Sequence, residues 1–174
     1  MRPVHELILG GARSGKSKMA EERALDSGLD LVYVATGTAG DSEMAERIRH
    51  HRQRRGSQWS VVEEPVSLAD ALRQHQDKTR CILVDCLTLW LNNCLQKNCW
   101  ERQKASLLDI LPKLEGHIIM VSNETGLGVV PMGELSRHFV DEAGFLHQQL
   151  AAQCHQVSLM VAGLPLVLKP MGKV

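Results

Sequence analysis

The segment Gly10-Gly11-Ala12-Arg13-Ser14-Gly15-Lys16-Ser17 constrains this chain more than any other. It has the form G-x-x-x-x-G-K-S, and it lies between the apolar run Leu7-Ile8-Leu9 and a helical pattern. Glycines let such a loop wrap closely, so that successive backbone N–H groups point at one anion. The following helix sets its N-terminus against the same anion. In this cradle Lys16 is expected to reach the β- and γ-phosphates of a purine nucleoside triphosphate, and the Ser17 hydroxyl to bind Mg²⁺. The competing reading, a glycine-rich turn with an exposed lysine, does not explain the strand before it and the helix after it.

The rest of the chain repeats that alternation. Strand-length apolar runs fall at His5 to Leu9, Asp30 to Ala35, Trp59 to Glu63, Arg80 to Asp85 and His117 to Ser122. Helical patterns fall at Ser14 to Leu25, Ser42 to Arg55, Ser67 to His75, Leu87 to Leu95, Trp100 to Leu111, and within Met132 to His155 from near Gly133. Ser67 is a candidate N-cap. Val157 to Lys169 reads as two strands turning at Gly163, Leu164 and Pro165. Alternation implies right-handed crossovers and a mostly parallel sheet with helices on both faces, the last strand being an antiparallel addition at the edge.

Composition fits this architecture. The 174 residues favour one domain spanning 1–174 with one sizeable core. Aromatic residues make up only 3%, so the core is aliphatic, as buried parallel strands are. Twenty basic and twenty acidic residues cancel, which argues against a general polyanion binder and against nucleic acid as a partner. Five cysteines without a C-x-x-C pair read as free thiols in a reducing cytoplasm, and a zinc site at Cys94 and Cys99 lacks a partner pair. No signal peptide is expected, and no membrane span, since Val157 to Leu168 is interrupted by Gly163 and Pro165. Met19, Met44 and Met120 read as core fillers. His5, His75, His117 and His155 read as surface or strand-end residues. Trp90 and Trp100, which flank a thiol-rich helix, read as packing residues, within or between subunits.

Two further segments bear chemistry. Asp85 ends the run Cys81-Ile82-Leu83-Val84, and an acid at the carboxyl end of a buried strand faces the ligand crevice. It is a candidate to support the metal, a helix N-cap, or both. Glu43 to Arg55 contains five arginines and two histidines within nine residues, a concentrated surface for anions. It is open to three readings: a solvated charged face, a second phosphate site with a nucleophilic histidine, or a nucleic-acid surface. The third is weakest, because aromatics for stacking are few.

Taken together, these segments resemble the adenosylcobinamide kinase / adenosylcobinamide-phosphate guanylyltransferase family. The resemblance is carried by Gly10 to Ser17, Tyr33-Val34-Ala35-Thr36, Glu43-Met44 with Arg47-Ile48 and His50-His51, Trp59 with Glu63-Glu64-Pro65, Asp85-Cys86-Leu87-Thr88 with Asn93, Ser122-Asn123-Glu124 with Gly126, Gly128 and Pro131, and Arg137-His138-Phe139 with Asp141 and Gly144. The pieces run in family order over nearly the whole chain.

The resemblance implies a RecA-like P-loop NTPase fold and two reactions. One moves a γ-phosphoryl group from ATP or GTP to adenosylcobinamide. The other moves GMP from GTP onto the resulting phosphate, giving adenosylcobinamide-GDP. It implies His50 as the histidine that carries GMP, and GTP contacts at His51, Arg52, Gln53, Arg54, Glu63 and Asp85, with more near Ala35, Thr36 and Gly37. It also implies Ser17 and Asp85 around Mg²⁺, and a homotrimer. The alternative is another small-molecule P-loop kinase without guanylyl transfer. The family often carries Gly-Arg-x-Asn-Gln in the late helix. Here Gly144-Phe145-Leu146-His147-Gln148 replaces the arginine and the asparagine.

Overall fold

The structure is a computed structural model that describes residues 3–37 and 58–172. The helix expected over Ser42 to Arg55 lies outside the described residues. In chain order the elements are β1 (His5–Gly10), α1 (Lys16–Asp26), β2 (Asp30–Ala35), β3 (Trp59–Glu63), α2 (Leu68–His75), β4 (Arg80–Asp85), α3 (Leu87–Gln96) and α4 (Trp100–Ile110). They continue with a 3-10 turn (Leu111–Lys113), β5 (His117–Asn123), α5 (Glu134–Gln153), β6 (Gln156–Val161) and β7 (Leu164–Lys169).

The strands form one sheet in the order β3-β2-β4-β5-β1-β6-β7. All neighbours are parallel except β6 and β7. Strand β1, which carries the cradle, lies between β5 and β6 and is buried along its whole length. A strand covered on both faces is apolar through its centre, which is why Leu7-Ile8-Leu9 shows no alternation, while His5 and Glu6 are buried polar residues at its start.

The two faces nonetheless sort by the period of two. Leu7, Leu9, Val32, Val34, Ile82 and Val84 enter one core with residues of α2, α3, α4 and α5. Ile8, Leu31, Tyr33, Cys81 and Leu83 enter a second core with Ala20 and Ala24 of α1. Small residues on α1 let it lie close against the sheet. In the larger core Trp90 and Trp100 meet edge to face, with centroids 5.2 Å apart. Their indole N–H groups donate to Val66 O at 2.7 Å and Glu142 Oε2 at 2.5 Å. The tryptophan packing is thus within the chain.

Some local expectations change. Helix α1 begins at Lys16, because Gly15 at φ 95° occupies the left-handed region and acts as N-cap. Ser67 is the N-cap of α2 but makes no side-chain cap bond. Glu64 Oε1 takes over, accepting from Val66 N at 2.9 Å and Ser67 N at 2.7 Å. The β6–β7 turn is Ala162-Gly163, at φ 52° and 80°, so Leu164 and Pro165 belong to β7. Two positive φ values suit a two-residue hairpin, and proline is tolerated on an edge strand. His5 opens β1, at a strand end, and is buried there at 2% exposure with its ring edge-on to His155.

Candidate functional site

Parallel strands bring all their carboxyl ends to one edge. Across that edge stand Glu63 (β3), Ala35 (β2), Asp85 (β4), Asn123 (β5) and Gly10 (β1). Register makes the alignment tight: Ala35 pairs with both Glu63 and Asp85, and Gly10 pairs with Asn123. Residues scattered over more than a hundred positions of sequence thus become a row.

The cradle Gly10–Ser17 rises from this row. Arg13 at φ 54° and Gly15 at φ 95° turn the chain, and Ser14 N donates to Gly11 O at 3.3 Å. A Cβ on Gly10 would lie 2.4 Å from Ser14 Oγ and 2.9 Å from Met160 O, so only glycine fits there. The β6–β7 turn braces the loop from outside: Gly163 N donates to Ser14 O at 3.0 Å. Gly11, Ala12 and Arg13 are exposed, Ser17 is half-buried, and Lys16 is 8% exposed. Lys16 Nζ donates to Gly11 O at 2.9 Å, folded back over the loop. Burial lowers its pKa, against the opposing pull of Cys86 and Asp85.

Asp85 is the last residue of β4 and is half-buried. It is not the N-cap of α3; Cys86 is. Among the described residues the Asp85 carboxylate receives no hydrogen bond, which leaves its oxygens available at the edge. The peptide bond between Asp85 and Cys86 is cis. Thr36 follows Ala35 into a fully buried position, where its hydroxyl bonds the Cys86 backbone. Asn93 on α3 donates Nδ2 to Thr36 O at 2.8 Å and Pro65 O at 3.0 Å, tying the ends of β2 and β3 to α3. Glu63 is exposed at the far end of the row. His50, His51, Arg52, Gln53 and Arg54 lie outside the described residues, so the row contains the expected groups at Gly10–Ser17, Ala35–Gly37, Glu63 and Asp85 only.

One cluster joins Glu124, part of the segment that carries the family resemblance, to His147, which no motif assigned. Glu124 follows β5, and its N–H donates to Gly10 O at 3.0 Å. His147 on α5 sits beneath it, with Nε2 2.7 Å from Ser122 Oγ and Nδ1 3.8 Å from Glu124 Oε2. Ser122 Oγ lies 3.3 Å from Thr88 Oγ1, which accepts from Asn123 N at 2.7 Å. The available signal was periodicity: His147 shares the buried stripe Ala143, Leu146 and Leu150, where a polar side chain needs a partner.

Among the described residues no group of three or more His, Cys, Asp or Glu could hold a metal ion, and no helix is long and apolar enough to cross a membrane. The mostly parallel sheet with its cradle between β1 and α1 is a P-loop arrangement. The flagellar accessory protein FlaH of Methanocaldococcus jannaschii is similar in fold, with TM-score 0.52 and 12% identity over 97% of this chain and 79% of that chain. By sequence the chain is 56% identical over 169 residues to the bifunctional adenosylcobalamin biosynthesis protein CobP of Pseudomonas aeruginosa, covering 95% of this chain and 98% of that protein. It is 36% identical over 179 residues to the bifunctional adenosylcobalamin biosynthesis protein CobU of Escherichia coli strain K12, covering 94% and 98%. The model of the family described as "Cobinamide kinase / cobinamide phosphate guanyltransferase" matches residues 6–168. A cradle at a parallel sheet edge, with agreement over nearly all of its length, places this chain in the cobinamide kinase / cobinamide phosphate guanyltransferase family.

Proposed function

We propose that this chain phosphorylates adenosylcobinamide with ATP or GTP, then transfers GMP from GTP through His50 to give adenosylcobinamide-GDP. The observation that carries the reading is the intact cradle Gly10–Ser17, standing at one edge with Asp85, Thr36 and Glu63.

In the first reaction the loop amides hold the β- and γ-phosphates, and Lys16 leaves Gly11 O to meet them. The acceptor hydroxyl attacks the γ-phosphorus and the nucleoside diphosphate leaves. Ser17 and Asp85 fit Mg²⁺, since a hydroxyl and a carboxylate without other bonds are the hard oxygen donors it takes. Bound there, the ion neutralises charge developing on the phosphates.

In the second reaction a neutral His50 nitrogen attacks the α-phosphorus of GTP. A P–N bond forms and pyrophosphate leaves. An oxygen of adenosylcobinamide phosphate then attacks the same phosphorus, the P–N bond breaks, and the imidazole is regenerated. His51, Arg52, Gln53 and Arg54 serve as GTP contacts beside it, the arginines offering charge-assisted hydrogen bonds to phosphate. Ala35, Thr36, Gly37 and Glu63 complete the nucleotide site.

A homotrimer in the cytoplasm, without nucleic acid, is the working assembly. Support for self-association comes from exposed Leu127, Val129, Val130, Met132 and Leu135 ahead of and at the start of α5.

The test uses GTP labelled at the α-phosphate, with Mg²⁺, beside His50→Ala. Label that stays on the denatured protein, is lost in acid but not base, and is absent from the variant supports the reading. No label on folded, GTP-binding protein points to a plain small-molecule P-loop kinase.

A further inference from the structure

We propose that Glu124 is the proton acceptor for the hydroxyl phosphorylated in the kinase step, and that His147 is the residue that positions it. The inference rests on the kinase activity proposed above and assigns a group that the cradle and Asp85 do not supply.

A hydroxyl that attacks phosphorus must lose its proton, and a base has to stand within hydrogen-bond reach of it. Among the described residues, the row of strand ends holds two acids near the cradle. Asp85 is close enough to Lys16 to act on it electrostatically, and it is the acid assigned to Mg²⁺ in the proposal above. Glu124 is the other. Its own N–H is anchored on Gly10 O, the first residue of the cradle, at 3.0 Å. Its Oε1 accepts from Gly126 N at 2.6 Å, which fixes the carboxylate plane. Among the described residues Oε2 accepts no hydrogen bond, and the side chain is 20% exposed, so this oxygen is open to an acceptor.

One proton order satisfies the buried groups behind Glu124 and also turns a donor toward its carboxylate. Asn123 N–H donates to Thr88 Oγ1. Thr88 O–H then donates to Ser122 Oγ, and Ser122 O–H to His147 Nε2. That leaves the one proton of a neutral imidazole on Nδ1, the nitrogen facing Glu124 Oε2 at 3.8 Å. Burial lowers the pKa of His147 against the opposing pull of Glu124, which agrees with a neutral ring. At 3.8 Å this contact is too long for a hydrogen bond, so the Nδ1–H dipole favours Oε2 on its side of the carboxylate electrostatically and leaves its lone pairs free.

In the step, Oε2 takes the hydroxyl proton as the O–P bond forms and the bond from the γ-phosphorus to the bridging oxygen breaks. The nucleoside diphosphate carries away the electron pair, and Glu124 later returns its proton to water. An asparagine at position 147 would keep an N–H donor in the same place, so the exchange between asparagine and histidine there preserves the positioning contact.

The experiment compares wild type, Glu124→Gln, His147→Leu and His147→Asn as full-length protein with Mg²⁺, adenosylcobinamide and γ-labelled ATP. Enzyme guanylylation from α-labelled GTP is followed in parallel. Expected for Glu124→Gln is a fall in phosphorylation of roughly 100-fold or more relative to guanylylation. His147→Leu should lower kcat roughly tenfold with KM values little changed, and His147→Asn should restore it. Phosphorylation by Glu124→Gln at the wild-type rate, or equal loss of both reactions, would overturn the assignment. So would a His147→Asn variant as slow as His147→Leu. A wild-type protein that forms neither product overturns the functional reading itself, an outcome visible before any variant is made.

Discussion

Thr36 and Cys86 are 50 residues apart, yet they exchange two hydrogen bonds: Thr36 Oγ1 donates to Cys86 O at 2.6 Å and accepts from Cys86 N at 2.9 Å. Both residues are buried, and the pair locks the end of β2 to the β4–α3 junction beside Asp85. Thr36→Val keeps the shape but leaves the buried Cys86 N–H without a partner, while Cys86 O keeps the Trp90 N–H at 3.3 Å. The expected cost is about 1–3 kcal/mol in urea unfolding, together with a raised KM for nucleotide. Thr36→Ser should recover most of both.

Gly10→Ala tests the cradle without touching its chemistry. The added methyl meets Met160 O at 2.9 Å, and backbone in a central sheet cannot retreat. Destabilisation of about 1–3 kcal/mol is expected, with weakened binding of a fluorescent nucleotide. Gly11→Ala, where a Cβ meets nothing within 4 Å, should leave stability nearly unchanged.

Acid should destabilise the protein through His5. Its pKa is lowered from 6.5 to about 4, first by burial and then by His155, with the Leu114 backbone opposing and His117 adding to the fall. Between those two values the unfolded chain binds the proton and the folded chain does not. Stability is therefore complete above about pH 6.5 and declines as pH drops toward 4, by on the order of 3 kcal/mol. Urea midpoints measured from pH 7.5 to 4.5 should show this slope in wild type and a shallower one in His5→Gln.

Thiol chemistry should be confined to one position. Cys81 and Cys86 are pushed up to about 11, and Cys94 and Cys154 to about 12, burial being the leading cause in each. Cys99 alone is not fully buried. Native protein treated with iodoacetamide at pH 7.5 should therefore gain mass at Cys99 only, read by peptide mass spectrometry, with the others reacting once urea is added.

The elements legible in sequence were those whose signal is local. The span of β4 from Arg80 to Asp85 needed no correction, because a strand buried on both faces is a continuous apolar run. The start of α5 near Gly133 was equally clear. Boundaries failed where one backbone angle decided them, as at Gly15 and at the Ala162-Gly163 turn. His5 does stand at a strand end, but its burial was not legible because its shelter comes from His155, which is 150 residues away. The pairing of Glu124 with His147 escaped for the same reason: Glu124 lies in the Ser122-Asn123-Glu124 segment that the sequence singles out, but no motif names the residue packed beneath it.

The cradle, the strand–helix alternation and the identity of the acid that ends β4 were determined by the sequence alone, since each depends on neighbours within a few residues. Only the tertiary structure decided that Glu63, Ala35, Asp85, Asn123 and Gly10 form one row, because strand order depends on crossovers that the pattern leaves open. It also decided which polar residues are buried together. The line from Thr88 through Ser122 and His147 to Glu124 exists because α3 and α5 pack on the same face of β5, and packing is a property of the folded chain as a whole.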